Sequence, residues 1–146
     1  MEKFKKAFKL SELVCPHVLK KYSAAQVWSF FDPRALEVLY IIRFKILNVP
    51  LIINTSDGKY TQRGLRCNVC DLVKSQTNKN NPYLSAHIRG NGFDFIPSGM
   101  SAEEARKKII ANKSLLPYPI RLEKDVSWVH FDLSVFSGEQ IQTFKG

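Results

Sequence analysis

Apolar residues in the first third of the chain recur at helical spacing, and residues that cap helices precede them. Residues 23–26, Ser-Ala-Ala-Gln, are typical of a helix N-cap. Asp32 and Pro33 then begin a second helix, with the acid as the cap and proline in the first helical position. This helix is predicted to be largely buried and to end at residues 48–50, because its apolar positions are Leu36, Leu39, Tyr40, Ile42, Phe44 and Leu47. Residues 8–21 are expected to form a lead-in with one short helical turn.

Later in the chain the pattern changes to short apolar runs that favour strands. Strands are predicted at residues 51–54, 92–96, 120–123 and 128–133, the last two joined by a tight turn. Ser101 and Glu104 form a capping box that opens one further helix, which ends near Asn112. Helices that come first and strands that dominate later predict an α+β fold rather than repeated βαβ units. We therefore expect a single domain over residues 1–146, with N-terminal helices packed on a small, mainly antiparallel sheet.

Residues 55–82 interrupt this pattern with a long polar stretch rich in Asn, Lys, Ser and Thr. A short helix is predicted within it, near residues 68–74. Loops of this length inside a compact domain are usually functional, so we expect this one to shape a binding site.

The charge balance narrows the choice of partners. The 45% apolar content excludes a disordered or low-complexity chain. The 22 Lys and Arg against 13 Asp and Glu give a net charge of +9, which favours nucleic acid, an acidic membrane surface or an acidic polymer such as a cell wall. The basic residues, among them Arg106 and Lys107, are scattered as on solvated faces, and no nucleic-acid-binding motif accompanies them.

Neither a membrane helix nor a secretory signal is predicted. No stretch reaches the roughly 18 apolar residues that a membrane helix needs, and no apolar run follows the basic N-terminus. We therefore expect synthesis in the cytoplasm without a signal peptide, and action elsewhere only after release.

The three cysteines allow several interpretations. Cys67 and Cys70 form a C-x-x-C pair, and Cys15 lies far away in the sequence. Because structural zinc normally needs four ligands, often from two such pairs, this set by itself favours reduced, partly buried thiols. A disulfide between Cys15 and the 67–70 turn is an alternative if the protein enters an oxidising compartment. A thioredoxin-like redox role is disfavoured, because the flanking strand–helix pattern is weak.

The candidate chemistry lies in residues 85–94, Ser-Ala-His-Ile-Arg-Gly-Asn-Gly-Phe-Asp. The two glycines allow a tight turn and a close backbone approach, so that His87 and Asp94 can converge on one point. His130 lies on a predicted strand with Trp128 and Asp132 on its own face, because the period of a strand is two. A His/Asp/His set suits zinc with a fourth position open for water, although a single histidine on a strand is more often a structural one. Zinc at such a site would lower the pKa of the water and polarise a carbonyl.

The pattern Ser85-x-His87-x-x-Gly90-x-Gly92-x-Asp94 resembles the SxHxxGxAxD signature of the M15 family of zinc D-Ala-D-Ala carboxypeptidases and related phage endolysins, with glycine in place of the usual alanine. The family's late histidine on a strand, after tryptophan and an apolar residue, is matched by residues 128–130. Residues 63–66, Arg-Gly-Leu-Arg, occupy the place of the family's Ser-Gly-Tyr-Arg turn. Residues 8–13 and 43–47 also resemble the subgroup common in phages, so the resemblance covers most of the chain.

Carried over by position, the resemblance implies one zinc ion per chain, held by His87, Asp94 and His130. It implies that Arg66 binds a substrate carbonyl or carboxylate and stabilises developing negative charge, for which a guanidinium is suited. The alternative for Arg66 is a solvated surface cation. Ser85 would support the ligand loop or hydrogen-bond the substrate. The implied fold is shared with hedgehog signalling domains, in which the zinc site does not imply peptidase activity.

One departure from the family concerns the general base. The family usually has an acid three positions before the last histidine, where this chain has Ser127, whose hydroxyl cannot take a proton near neutral pH. The base could come instead from Asp125 or Glu123 in the adjacent turn, and Asp125 is the catalytic residue we predict. Asp132 is a further candidate for the general base. Alternatively, it orients a zinc-bound histidine without contacting the metal itself.

Two functions follow from the resemblance. The first is a zinc-dependent peptidase of phage or prophage lysin type that hydrolyses the peptide stems of bacterial peptidoglycan, as a carboxypeptidase or an endopeptidase. The second is a zinc-containing cell-wall-binding domain with weak or lost catalysis, which Ser127 supports. We expect a monomer that acts on the wall after release, with no nucleic-acid or membrane partner. A nucleic-acid binder is the third alternative, and charge alone suggests it.

Overall fold

The computed structural model describes all 146 residues, which form seven α-helices and five strands. The helices are α1 (Glu2–Ala7), α2 (Leu10–Leu13), α3 (Pro16–Lys21), α4 (Ala24–Ser29), α5 (Pro33–Ile41), α6 (Asp71–Asn78) and α7 (Ala102–Ala111). A π-helical segment, Ile42–Leu47, continues α5, and a 3-10 turn, Lys113–Leu115, follows α7. The strands are β1 (Leu51–Ile52), β2 (Gly92–Pro97), β3 (Ile120–Lys124), β4 (Val129–Asp132) and β5 (Ile141–Lys145).

The five strands form one sheet in the order β1-β2-β4-β3-β5. Neighbouring strands pair antiparallel, except that β3 and β5 are parallel. The predicted α+β class, with N-terminal helices and a mainly antiparallel sheet, is confirmed. Strand β5 lies outside the predicted strands. Its side chains are exposed or only partly covered, so its apolar pattern is weak, and the backbone pairing with β3 defines it.

The helices begin where capping residues predict them. The side chains of Ser23, Asp32 and Ser101 each accept a hydrogen bond from a backbone N–H in the first helical turn. The helix that begins with α5 ends at Asn48, whose left-handed φ of 52° stops the helical path. Residues 8–21 contain α2 and α3, which is more helix than predicted. Helices this short gain their stability from tertiary packing, which the sequence pattern does not show.

Alternation along β2 and β4 divides the sheet into an apolar face and a polar face. Four side chains on the apolar face are completely buried: Phe93, Phe95, Val129 and Phe131. The ring of Phe31, next to α5, stacks on Phe93 at a centroid distance of 5.9 Å, and α7 contacts both strands. The residues between them, Asp94, His130 and Asp132, therefore lie on the opposite face. This face carries the candidate site.

Two predicted elements differ in extent from those observed. The strand predicted at residues 51–54 is limited to β1 (Leu51–Ile52), and the helix predicted near 68–74 is α6, which begins at Asp71. The rest of residues 55–82 is loop and turn, as predicted, apart from an isolated bridge at Leu65. None of the helices has both the length and the apolar composition needed to cross a membrane.

Candidate metal centre

The loop before β2 positions His87 through its backbone. Gly90 adopts a left-handed φ of 67°, and its carbonyl accepts a hydrogen bond from the backbone N–H of Asp32 at 3.0 Å. Gly92 begins β2, where a Cβ would lie 2.7 Å from the Cβ of Ala86. Both glycines therefore allow the close approach that the sequence predicts. An alanine at position 92 would therefore require Ala86 to move.

A backbone carbonyl sets the orientation of the His87 ring. The Nδ1 atom of His87 donates to the carbonyl oxygen of Gly64 at 2.9 Å. Because a carbonyl only accepts, Nδ1 carries a hydrogen, and Nε2 is the ring atom left to bind a metal ion, which would displace any proton there. That Nε2 atom lies 3.2 Å from Oδ2 of Asp94. The imidazole therefore presents a metal-binding nitrogen toward the carboxylate.

Strand pairing brings Asp94 and His130 together. They are directly opposite each other in the antiparallel pair β2–β4, and Nδ1 of His130 lies 2.6 Å from Oδ1 of Asp94. His87, Asp94 and His130 are all buried, and one ligand atom from each lies within 4.8 Å of the others. Ligands about 2.0–2.1 Å from a tetrahedral zinc ion are roughly 3.3 Å apart, close to the His87–Asp94 distance. The three residues therefore form a group that could hold a metal ion.

Asp132 lies behind His130 and is completely buried. Its Oδ2 atom is 2.9 Å from Nε2 of His130, and it accepts two hydrogen bonds from Arg121, at 3.0 and 2.8 Å. The guanidinium of Arg121 in turn lies 4.3 Å from the ring centroid of Phe144 in β5. A carboxylate held in this way fixes the orientation of the imidazole and leaves Nδ1 as the atom that faces the centre.

The charges of the cluster favour ionised carboxylates. Burial opposes ionisation of Asp94, but the hydrogen bonds from His130 and His87 outweigh it, and the pKa of Asp94 lies well below its ordinary value. Burial lowers the pKa of His130, but hydrogen bonds to Asp132 and Asp94 raise it to about 9. The metal-free site therefore holds a proton on His130 at neutral pH, and a metal ion that binds Nδ1 must displace it.

Arg66 is part of the centre rather than a solvated cation. Its side chain is 9% exposed, and Nη2 donates to Oδ2 of Asp94 at 3.2 Å. Nη1 donates to the hydroxyl of Tyr83 at 3.4 Å, and Nε donates to the carbonyl of Gln62. Its backbone N–H donates to the carbonyl of His87 at 3.2 Å. The guanidinium is thus held beside the candidate metal ligands.

An open groove passes over the centre. One cavity of about 280 Å³ is lined by all three candidate ligands together with Ser85 and Glu123. A second cavity of about 320 Å³ shares three lining residues with it and continues along the 55–82 loop. The shared residues are Arg66, Asp94 and Trp128. The predicted role of this loop in shaping a site is consistent with its place along the groove.

The two acids considered as the base, Glu123 in β3 and Asp125 in the β3–β4 turn, differ in position. Glu123 lines the cavity. Asp125, the predicted base, is exposed at a left-handed φ of 64°, and its Oδ2 atom lies 3.4 Å from Nζ of Lys145. Asp125 does not line either cavity of the groove, because the turn directs its side chain toward the end of β5. Ser127 is exposed. The structure therefore brings Glu123, and not Asp125, to the site.

Arg106 in α7 hydrogen-bonds to the backbone of the β3–β4 turn. The sequence pattern predicts a solvated cation at this position, but the Arg106 side chain is buried in α7, so that prediction is wrong. Its Nη1 and Nη2 atoms donate to the carbonyls of Trp128 and Val126 at 2.8 and 3.0 Å. The turn that precedes His130 is therefore anchored to α7.

Arg106→Met is expected to destabilise the protein by about 2 kcal/mol, because charged hydrogen bonds to two backbone carbonyls are lost. Urea denaturation followed by far-UV circular dichroism measures this change. Lys107→Met, on the exposed side of the same helix, is the control and should change stability by less than about 0.5 kcal/mol. Equal effects of the two variants would contradict the anchoring role of Arg106.

Several residues of the groove were not predicted. They are Tyr83, Arg121, Trp128 as a cavity wall, and Phe144. A signal for Arg121 exists, because Ile120 and Leu122 are buried and the period of two puts Arg121 and Glu123 on the other face of β3. No local signal identifies Phe144, since its place depends on the parallel pairing of β5.

The structure also contains a second group of potential metal ligands. Cys15, His17, Cys67 and Cys70 each offer a ligand atom, and these atoms lie within 4.8 Å of one another. All three cysteines are free thiols. Free thiols agree with the predicted reduced state, and His17 at the start of α3 adds a fourth potential ligand that the sequence pattern did not identify. The chain thus has two groups of side chains that could hold a metal ion.

Comparison of the chain with protein-family models, with curated proteins and with solved structures found no match.

Proposed function

We propose that the protein is a zinc-dependent peptidase that hydrolyses peptide stems of bacterial peptidoglycan, as the resemblance to the M15 family implies. The observation that carries the proposal is the convergence of His87 Nε2, the Asp94 carboxylate and His130 Nδ1 on the floor of an open groove beside Arg66. Two neutral imidazoles and one carboxylate form a donor set that zinc accepts in catalytic sites, which keep one position open.

The groove offers positive charge to an extended substrate. Lys59, Arg63 and Arg66 line the second cavity of the groove, next to the polar side chains of Thr61 and Gln62. Peptide stems carry carboxylates, and a guanidinium binds a carboxylate through two parallel hydrogen bonds. The groove therefore suits an anionic peptide, and the net charge of +9 would concentrate the protein on an anionic wall.

Each residue of the centre has a role in this proposal. Zinc, when bound, would lower the pKa of a water molecule and polarise the scissile carbonyl. Arg66 would hold the carbonyl oxygen as negative charge develops on it. Glu123 of β3, which lines the cavity, would accept a proton from the attacking water. Asp132 and Arg121 would keep the His130 ring in place.

Mass spectrometry of digested peptidoglycan tests the proposal. Purified wall is incubated with the chelator-treated protein, with and without added zinc, and the soluble and residual peptides are identified. We expect zinc-dependent loss of D-Ala or release of shortened stems, and the mass difference identifies the bond. The absence of any new peptide at all zinc concentrations would overturn the proposal of a peptidase.

A wall-binding domain without turnover is the second candidate. The observation that favours it is the combination of an exposed Ser127 and an Asp125 that pairs with Lys145 instead of facing the groove. In this case zinc and wall binding persist without new peptides, and Ser127→Asp creates activity in the same digestion. Co-sedimentation with insoluble wall, measured beside the digestion, distinguishes the two functions.

A further inference from the structure

We propose that Cys15, His17, Cys67 and Cys70 bind a second zinc ion, whose role is structural. The sulfur of Cys67 lies 3.7 Å from Nδ1 of His17 and 4.0 Å from the sulfur of Cys70, and the Cys70 sulfur lies 3.8 Å from the same nitrogen. Zinc–sulfur bonds of about 2.3 Å and zinc–nitrogen bonds of about 2.0–2.1 Å place tetrahedral ligands roughly 3.6–3.8 Å apart. The two sulfur–nitrogen distances lie in this range, and the sulfur–sulfur distance of 4.0 Å exceeds it by about 0.2 Å.

The backbone brings the two halves of the cluster together without help from the side chains. Val14 and Leu65 form a parallel bridge, in which Cys15 N–H donates to the Leu65 carbonyl at 3.0 Å and Leu65 N–H donates to the Leu13 carbonyl at 2.8 Å. Cys67 follows this bridge by two residues, and the turn that leads to Cys70 begins there. The ligands are therefore presented by hydrogen-bonded segments that are far apart in sequence, as in a built site.

The donor set indicates the kind of ion. Three thiolates and one imidazole are soft and borderline ligands, which select zinc over calcium or magnesium. Four protein ligands leave no open position, so this site would be structural and not catalytic. A sulfur–sulfur distance of 4.0 Å between Cys67 and Cys70 is about twice the length of a disulfide bond. On binding, three thiol protons leave and three zinc–sulfur bonds form.

The second ion would stabilise the wall of the groove. Residues 63–66 lie between the two clusters, and the Arg63 carbonyl accepts from Asp94 N–H at 2.8 Å while the Gly64 carbonyl accepts from His87. The Gln62 side chain accepts from Leu72 N–H in α6 at 3.0 Å. Apart from these bonds, much of the 55–82 loop is polar and exposed. The Cys/His cluster would thus hold α3, α6 and the Arg66 segment as one unit.

Metal analysis of the full chain tests the inference. We expect two zinc ions per wild-type chain, one in Asp94→Asn and one in Cys67→Ser. Cobalt substitution assigns the ions, because sulfur-to-cobalt charge-transfer absorption in the near ultraviolet should persist in Asp94→Asn and disappear in Cys67→Ser. The inference is independent of the proposed peptidase function, since the two variants report on different ions.

A variant pair at His17 keeps the test valid if a cysteine variant fails to fold. His17 is exposed, so His17→Ala should fold and lose the ion, while His17→Cys restores four ligands and should retain it. The three thiols of the wild type should react with a thiol reagent only after a chelator is added. A zinc content that Cys67→Ser does not lower, no thiolate absorption with cobalt, or three freely reactive thiols without chelator would each overturn the inference.

Discussion

Asp94→Asn is expected to remove most of the proposed peptide hydrolysis and one metal ion per chain. Asp94 lies between His87, His130 and Arg66, and its charge neutralises the cations around it. Asparagine keeps the shape but lacks the charge, and its amide cannot replace a carboxylate as a zinc ligand. Metal catalysis contributes several kcal/mol to the stabilisation of the transition state, so the rate should fall by about 10³-fold. Digestion of peptidoglycan, with zinc analysis of the same sample, measures both effects.

Glu139→Gln is the matched control for this variant. It also removes one carboxylate charge, but from an exposed position after β4. It should retain the wild-type rate and the wild-type zinc content. Retention of zinc-dependent hydrolysis by Asp94→Asn would show that the catalytic centre lies elsewhere. A thermal unfolding curve of each variant ensures that the comparison is made between folded proteins.

Gly90→Ala is expected to destabilise the protein by roughly 3 kcal/mol, because two unfavourable terms add. The φ of 67° is unfavourable for alanine, and a Cβ at this position would clash with the carbonyl oxygen of Phe30. A backbone atom cannot move aside as a flexible side chain does. To relieve this clash, the loop that carries His87 would have to move away from the junction between α4 and α5. Urea denaturation measures the loss, and zinc affinity should fall with it.

Gly99→Ala separates the two terms. Gly99 has a similar φ of 74°, but a Cβ there would meet nothing within 4 Å. This variant should therefore be destabilised only by the unfavourable φ, by roughly 1 kcal/mol, and should keep its zinc. If Gly90→Ala is no more destabilised than Gly99→Ala, the close packing of the ligand loop against Phe30 is not what positions His87.

Most of the fold could be predicted because its signals are local. Capping residues Ser23, Asp32 and Ser101 define helix starts through hydrogen bonds that span three residues or fewer. Alternation in β2 and β4 separates the buried phenylalanines from Asp94 and His130. Strand β5 gives no such signal, because its side chains are incompletely buried and its partner is chosen by the rest of the sheet.

The candidate site likewise has a part that the sequence predicts and a part that it does not. The sequence alone determined which residue types could bind a metal in the first centre: the glycine-spaced pair His87 and Asp94, and a histidine on an alternating strand. Their chemistry and spacing are properties of short segments. It also determined the excess of positive charge, which is a property of composition.

Only the tertiary structure decided which distant groups meet. Pairing of Val14 with Leu65 brings Cys15 and His17 to the C-x-x-C turn, and the course of the β3–β4 turn directs Asp125 away from the groove while Glu123 lines it. Contacts between residues about fifty positions apart depend on the packing of the whole chain, because no local hydrogen bond or periodicity encodes them. For that reason the three cysteines appear as separate thiols in the sequence, whereas in the folded protein they form a four-ligand cluster with His17.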